Sequence, residues 1–237
     1  MSDAMLLPQL DLNARPSVAD QVFAELHRQI LSLELAPGAK LSEVEVARQM
    51  GVSRQPVRDA FYRLSKQGFL LIRPQRATTV SLISSDAVMQ ASFIRTALEI
   101  ETIRVATEAL SEADLRALHD VLAEQRAAVE REDRIGFHRL DDQFHREICT
   151  RAGIGFTWEL IAENKGHMDR VRMLSLSFAS RDAFDDHEHI MAALEARNVE
   201  ASTMAMRTHL ARIRTQIHRI RADHSALFEA GDDSSPA

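Results

Sequence analysis

The sequence contains a single cysteine and no long apolar run. Cys149 cannot form a disulfide within the chain, which favours a reducing compartment and excludes both disulfide scaffolds and cysteine-rich zinc modules. No stretch reaches the roughly 18 apolar residues that a membrane-spanning helix needs. The chain also begins without the basic and apolar segments of a secretory signal. We therefore expect a cytoplasmic protein with no membrane partner.

Negative charge is in slight excess, but it is unevenly distributed along the chain. The 237 residues include 29 lysines and arginines against 35 acidic residues, a formal net charge of −6, and this average argues against nucleic-acid binding. The segment from Arg48 to Arg76 differs, because it has seven basic residues and one acidic residue. Nine of the ten histidines lie beyond residue 84. The contrast predicts a polyanion-facing domain followed by an acidic, histidine-bearing one.

The pattern over residues 17–83 predicts a winged helix-turn-helix domain. Ser17 is expected to cap an amphipathic first helix. Ser42 and Glu45 are spaced as a capping box at the start of a short second helix, and Ser53 is expected to cap a third. Two apolar and β-branched segments separated by turn residues follow, and they predict the hairpin that forms the wing.

Arginines of the third helix make this domain a candidate DNA reader. Arg54 and Arg58 are four residues apart and therefore share a helix face. Arginine at the start of a recognition helix can bond the O6 and N7 atoms of guanine. Charge alone would fit an ordinary solvated face equally well. The predicted contacts to double-stranded DNA are Ser53, Arg54, Gln55 and Arg58 in the helix, and Arg73 and Arg76 in the wing.

Three segments resemble the winged-helix signature of the GntR superfamily of bacterial transcription regulators. They are residues 37–43, 51–60 and 64–70. The resemblance implies that Arg54 and Arg58 occupy DNA-contacting positions. The chain departs from the family pattern in two places. Val44 stands where some members have a further DNA-contacting arginine, and Gln75 and Ala77 replace glycines that are usual in the wing.

From Asp86 onward the sequence is helical almost throughout. The expected helices are 86–109, 111–132, 134–152, 156–178, 182–197 and 199–227. Ser111 and Asp114 are spaced as a capping box at the start of the second of them. The fold class is therefore mainly α, with the winged helix-turn-helix followed by an α-helical ligand-binding bundle. The expected divisions are an arm at 1–16, the DNA-binding domain at 17–83, a linker at 84–87, the bundle at 88–227 and a disordered tail at 228–237.

Four residues of the bundle are candidate metal ligands. Asp141 and His145 share one helix face, while His187 and His209 lie on the apolar stripes of two later helices. One carboxylate and three imidazoles suit a divalent metal, zinc in the first place, with nickel or manganese as alternatives. On spacing alone, three core histidines bonded to carbonyl groups are an equal alternative. His189 is expected to be exposed by its helical rotation.

The sequence predicts less about three other residues of the bundle. His218, like His189, should be turned away from the apolar stripe of its helix. His138 lies one turn before Asp141 and is a candidate partner of the metal ligands. Cys149 can in principle bind a soft metal, but a small buried apolar role is the better interpretation.

Three further segments resemble the metal-containing branch of the FadR subgroup, whose C-terminal domain is of the FCD type. They are residues 140–145, 187–194 and 206–210. The resemblance implies a metal site made of Asp141, His145, His187 and His209. The segment Arg95–Glu99 resembles an Arg-x-x-Leu-Glu motif of the first bundle helix, whose arginine serves ligand or structural contacts, so Arg95 is the candidate effector-binding residue. Gly153 is followed by Ile154 where an asparagine is usual.

These observations predict a DNA-binding transcriptional repressor, not an enzyme, with no catalytic residues. Its bundle would bind a divalent metal and a small, sugar-acid-like carboxylate that alters operator binding. A homodimer on an inverted-repeat operator is expected, because helix-turn-helix proteins read two-fold symmetric sites. A metal-free sensor of acyl-CoA or fatty acids is one alternative. A metalloenzyme with an added winged helix is another, and Glu99 and His138 are its weak candidates for a general base.

Overall fold

The structure is a computed structural model, and it describes residues 16–73 and 75–230, without the side chain of Ser177. The chain divides into two compact units. One is Gly38–Ser81 together with the chain up to Ile30, and the other is Leu31–Pro37 together with the chain from Leu82. This division falls just before the linker expected at 84–87. The expected arm lies outside the described residues, except for Pro16.

The first unit has the element order of a winged helix-turn-helix. Its elements are α1 (Val18–Leu31), β1 (Lys40–Leu41), α2 (Glu43–Met50), α3 (Arg54–Lys66), β2 (Leu70–Leu71) and β3 (Thr78–Val80). The three strands form an antiparallel sheet in the order β1-β3-β2. The hairpin of β2 and β3 confirms the predicted wing, whereas β1 was not expected. Buried residues of the three helices, Leu26, Val46, Val57, Phe61 and Leu64 among them, form the core.

The helix caps of this unit agree only partly with the sequence pattern. Ser17 and Asp20 form a reciprocal capping pair at α1, with N···O distances of 3.1 Å in both directions. The capping box predicted for α2 is wrong, because the Ser42 side chain makes no capping hydrogen bond. The Glu45 carboxylate instead accepts hydrogen bonds from Arg48, at 2.9 Å and 2.5 Å. An ion pair three residues along the helix therefore replaces the cap.

The second unit is a helical bundle. Its helices are α4 (Ser85–Ala109), α5 (Glu112–Glu130), α6 (Arg134–Arg151), α7 (Phe156–Asn164), α8 (Gly166–Glu195) and α9 (Val199–Asp223), followed by a 3-10 turn (Ser225–Leu227). The capping box of Ser111 and Asp114 is present at the start of α5. Among the described residues, no helix is both long enough and apolar enough to cross a bilayer.

Two helix boundaries in this bundle differ from the prediction. Helices at 156–178 and 182–197 were expected, but the chain breaks at Lys165 and then runs without interruption through α8. Gly166 is the only glycine in this region, and it lies at the break. The expected break near residue 180 has neither glycine nor proline, so nothing in the local sequence stops the helix there.

The C-terminal segment stays ordered beyond the end predicted for the bundle. Phe228 is buried and forms a parallel bridge with Ile83. Ile83 N donates to Leu227 O at 2.8 Å, and Glu229 N donates to Ile83 O at 3.0 Å. The predicted start of the disordered tail, residue 228, is therefore too early. Residues 231–237 lie outside the described part of the chain.

Apolar packing brings three helices together around the candidate metal ligands. α6 contributes Phe137, Leu140, Phe144 and Ile148, all buried as its periodicity predicts. α8 and α9 pack along each other and add Ile190, Leu194 and Met206 to the same core. Since the candidate ligands occupy neighbouring positions on these faces, they are directed into one interior.

Candidate metal centre and DNA-binding surface

The four candidate ligands converge in the bundle interior. All are buried, and each offers one ligand atom within 4.8 Å of the others. His209 Nε2 lies 3.2 Å from His145 Nε2 and 3.4 Å from His187 Nε2. Asp141 Oδ1 lies 3.7 Å from His187 Nε2. Three imidazole nitrogens and one carboxylate oxygen therefore face a common point, as the donors of a metal site do.

The opposite ring nitrogen of each histidine faces a side-chain acceptor. The pairs are His145 Nδ1 with Glu99 Oε2, His187 Nδ1 with Gln125 Oε1 at 2.8 Å, and His209 Nδ1 with Asp186 Oδ2 at 3.4 Å. Of the three, only the His187 contact has hydrogen-bond geometry, and the other two are close contacts with carboxylates. An acceptor beside Nδ1 favours the ring proton there and leaves the Nε2 lone pair directed at the common point. Bonds to backbone carbonyl groups, the alternative left open by spacing, are therefore not what orients these rings.

Asp141 divides its two carboxylate oxygens between different partners. Oδ1 faces the histidines, and Oδ2 is bound by Arg172 Nη2. Burial opposes ionisation of Asp141, but the Arg172 guanidinium holds its pKa well below the usual value. Asp141 is therefore an ionised group at neutral pH.

The electrostatics of the histidines also favour metal binding. Burial lowers the pKa of His187 well below its usual value, and the neighbouring His209 lowers it further. Burial likewise lowers the pKa of His209, although its bond to Asp186 opposes this. Both rings are therefore neutral near pH 7. Neutral imidazole is the form that binds metals.

A cavity beside the four ligands is lined by residues of α4, α6, α8 and α9, including Asp141 and His209. Arg95, Arg172 and Arg212 also line it. Arg95 is 4% exposed, and its Nε donates to Glu99 Oε1 at 2.5 Å. Among the described residues, Arg95 Nη2 has no hydrogen-bond partner although it is buried. This leaves a buried cationic donor available beside the cavity.

The first unit presents the predicted arginines of α3 together. Arg54 Nη2 and Arg58 Nε lie 3.5 Å and 3.6 Å from the same Glu43 oxygen, so the two side chains share a face. Both are more than half exposed, and such an exposed ion pair contributes little stability. Ser53 and Gln55 are also exposed. Ser53 occupies the N-cap position of α3, but its side chain makes no capping bond there.

The wing presents the other two predicted arginines. Arg73 and Arg76 are exposed between β2 and β3, and Arg76 N donates to Arg73 O at 3.2 Å. Gln75 has a φ of 59°, the left-handed conformation that glycine adopts most readily. The turn geometry is thus kept without the usual glycine. Val44, at the position of a DNA-contacting arginine in some family members, is 56% exposed.

Comparison with known proteins identifies both units. The family model described as bacterial regulatory proteins, gntR family, matches residues 18–80, and the FCD domain model matches residues 90–212. The chain belongs to the GntR family. The HTH-type transcriptional repressor RspR of Escherichia coli strain K12 is 37% identical over 222 residues, which cover 93% of this chain and 97% of RspR. The relatives and both domains are those of transcriptional regulators, and not of enzymes.

Solved structures support the fold of this GntR-family regulator. The E. coli McbR/YncC structure has a TM-score of 0.71 at 24% identity, covering 88% of this chain and 99% of that chain. A GntR regulator from Rhodococcus sp. RHA1 has a TM-score of 0.67 at 22% identity, covering 85% and 97%. GntR regulators bind DNA through the helix-turn-helix domain, and the buried Asp and His cluster of this regulator can hold a metal ion.

Several residues around the centre of this GntR-family regulator were not found from its sequence. The sequence patterns predict no role for Gln125, Asp186, Arg172 or Arg212. They indicate Glu99 only as part of a motif and as a weak candidate base. Asp186 directly precedes His187 in the sequence, but its carboxylate faces Nδ1 of His209 on the neighbouring helix. Gln125 is fully buried. A polar residue at a buried position of a helix indicates a hydrogen-bonding role, and this pattern could have identified Gln125 from the sequence.

Three other histidines and the cysteine of the bundle were also assigned positions or roles from the sequence. His189 and His218 are exposed, as their rotation predicts. His138 Nδ1 is buried and has no hydrogen-bond partner among the described residues, and the partner role of His138 stays a prediction. Cys149 is buried, in agreement with its predicted role as a small apolar residue.

Proposed function

We propose that this GntR-family protein is a repressor of the FadR subgroup whose bundle binds a divalent metal and a small carboxylate. The observation that carries the proposal is the convergence of three Nε2 atoms and one ionised carboxylate, with each Nδ1 facing an acceptor. A bound carboxylate would change the preference between DNA-compatible and incompatible arrangements of the protein. The repressor role is supported by the named function of RspR.

Zinc is the first candidate metal. Three histidine nitrogens and one carboxylate oxygen are donors that zinc accepts, and nickel and manganese are the alternatives. Asp141, His145, His187 and His209 would hold the ion. When bound, the metal supplies a positive charge and open coordination positions for an anionic ligand.

The cavity beside the site supports a polar carboxylate as the effector. Arg95 offers its unpaired Nη2, and a guanidinium binds carboxylates through charge-assisted hydrogen bonds. The rest of the lining is mixed, with hydroxyl and amide side chains such as Ser92, Thr96 and Gln216 beside apolar ones such as Phe137, Met168 and Ile213. The preference for a carboxylate therefore rests on the arginines and the metal, and the polar side chains can serve hydroxyl groups of a sugar acid.

The first unit supplies the proposed DNA contacts. Ser53, Arg54, Gln55 and Arg58 would meet the operator from α3, while Arg73 and Arg76 would contact it from the wing. Two copies related by two-fold symmetry would read an inverted-repeat operator, and a protein with this role would act in the cytoplasm.

A homodimer is supported by apolar side chains that the bundle leaves exposed. Phe93 on α4 is 68% exposed and Phe156 on α7 is 61% exposed, and these two helices pack together. Exposed aromatic residues on adjacent helices are typical of a protein interface. We therefore propose α4 and α7 as the dimer interface.

Metal analysis of protein purified without added metal tests the proposal. We expect about one metal ion per chain in the wild type. The ion should be lost in His187→Ala and His209→Ala, and it should be kept in His189→Ala, a matched control because His189 is exposed on the same helix. Circular dichroism establishes that each variant is folded. A wild-type protein without stoichiometric metal would contradict the proposal.

A screen of carboxylic and sugar acids tests the effector. A ligand that binds the folded state raises its melting temperature, so the screen is run with and without metal. Acids that shift the melting temperature are then added to the complex of protein and operator. We expect these acids to release the protein from the operator, and fluorescence anisotropy measures this release. A sensor of acyl chains would respond to fatty acyl-CoA and not to small acids.

A further inference from the structure

Glu99 connects the candidate metal ligand His145 with the cavity arginine Arg95. It is 2% exposed and lies on α4, four residues after Arg95. Its Oε1 accepts a hydrogen bond from Arg95 Nε at 2.5 Å, and its Oε2 contacts His145 Nδ1. One buried carboxylate thus contacts both a residue proposed to bind the metal and a residue proposed to bind the effector.

The His145 contact determines which ring nitrogen is free. Glu99 Oε2 lies against His145 Nδ1, and Arg95 Nε is bound by the other oxygen of the same carboxylate. A carboxylate oxygen beside Nδ1 favours an N–H donor at that nitrogen, so the contact favours the His145 proton on Nδ1. The Nε2 lone pair is then directed at His209 Nε2 and the common point.

The Arg95 contact determines the direction of the unpaired donor. Because a guanidinium is planar and rigid, anchoring Nε through Glu99 also sets the direction of Nη2. That Nη2 is the buried atom without a hydrogen bond among the described residues. Without Glu99, Arg95 would be free to take other orientations or to bind other carboxylates near the cavity.

Gln125 provides a comparison on the other side of the centre. Its Oε1 accepts from His187 Nδ1 at 2.8 Å, and its Nε2 donates to Leu140 O at 2.9 Å. Gln125 therefore orients a histidine as Glu99 does, but its second bond goes to a backbone carbonyl and not to a cavity arginine.

We propose that Glu99 is a positioning residue shared by two sites, orienting His145 towards the metal and Arg95 towards the carboxylate effector. The inference rests on the proposed function and adds that metal and effector binding depend on the same side chain. Removing Glu99 would weaken carboxylate binding even when the metal site is full. Removing Gln125 would weaken metal binding alone.

The test compares Glu99→Met with Gln125→Met in the full chain. Methionine is close in length to both side chains and has no oxygen, so in Glu99→Met neither Arg95 Nε nor His145 Nδ1 meets its acceptor. Zinc affinity is measured by competition with a chelator, and we expect it to fall by about 10–100-fold in both variants. Binding of acetate and D-gluconate is then measured by calorimetry at saturating zinc. There we expect a loss of about tenfold or more in Glu99→Met, equivalent to about 1.4 kcal/mol, and wild-type affinity in Gln125→Met.

Wild-type zinc affinity in Glu99→Met would overturn the orienting role of Glu99 at His145. Equal carboxylate affinities in the two variants would overturn its role at Arg95, and so would a wild type that binds zinc but neither acid. A wild type that binds none of zinc, nickel and manganese would reject the proposed function itself. If Glu99→Met does not fold, Glu99→Asp replaces it. Aspartate is one methylene shorter and cannot reach both donors, so unchanged affinities for zinc and acids would overturn the inference.

Discussion

Arg172 and Asp141 form an ion pair in which one carboxylate oxygen is bound by the guanidinium and the other faces His187. The same guanidinium lies 3.2 Å from Asp142 Oδ1 and 3.5 Å from Asp169 Oδ1. Arg172 therefore neutralises a group of acidic residues that includes a candidate metal ligand. A bound metal would share this task, because it too would neutralise Asp141.

Replacement of Arg172 by methionine should destabilise the metal-free protein. Asp141 would remain buried without its cation, and we expect the free energy of unfolding to fall by about 3–5 kcal/mol. The loss should be smaller with zinc bound. Urea unfolding followed by circular dichroism, with chelator or with excess zinc, measures both values. Arg104→Met is the control, since Arg104 pairs with Glu101 on the surface and should contribute less than about 1 kcal/mol. Equal losses with and without zinc would contradict the expectation.

Replacement of Arg58 by alanine should reduce specific DNA binding. The side chain is exposed at the start of α3, where it can reach base edges, and we expect a loss of about 1–3 kcal/mol. Anisotropy with an operator selected by the wild type from random duplexes, and with unrelated DNA, measures the discrimination. Arg63→Ala on the same helix is the control, because Arg63 contacts Asp20 at 2.7 Å and lies over the Phe23 ring. Unchanged discrimination in Arg58→Ala would refute the assignment.

Replacement of Phe93 by glutamate should dissociate the proposed dimer. A charged side chain in an apolar interface is strongly unfavourable because it loses its hydration. Sedimentation of the variant should therefore show monomers where the wild type shows dimers. Ile135→Glu is the control, since Ile135 is 63% exposed on α6, outside the proposed interface. A dimer that persists in Phe93→Glu would reject α4 as its interface.

Cys149 should react slowly with alkylating reagents in the folded protein. Burial raises the pKa of its thiol to about 11, although a hydrogen bond to Thr157 opposes the shift. At pH 9 roughly one thiol in a hundred would be ionised, compared with about half for an ordinary thiol with a pKa of 9.0 in the unfolded chain. Because the unfolded chain loses this proton first, the raised pKa also reduces stability as the pH rises above about 9. Mass spectrometry after iodoacetamide treatment, with and without urea, measures the difference, and equal rates would contradict the burial of this thiol.

Local sequence patterns predicted most of the helices and their buried faces, but they missed β1 and misplaced the break between α7 and α8. The spacing of Phe137, Leu140, Asp141 and His145 predicted one buried face of α6, because residues three and four apart lie together on a helix. Local patterns failed where two local interactions compete. Glu45 can serve either as a cap for Ser42 or as a partner for Arg48, and the sequence does not decide between them.

Periodicity thus predicted two domains and the arginine face of α3, and it offered four candidate ligands that the family resemblance favoured over core histidines. Which side chains orient those ligands depends on how the helices of the bundle pack. Gln125 is 62 residues from His187, and Arg172 is 31 residues from Asp141. Periodicity tells which face of a helix is buried, but the packing of that face against other helices selects the partner that each buried polar atom meets.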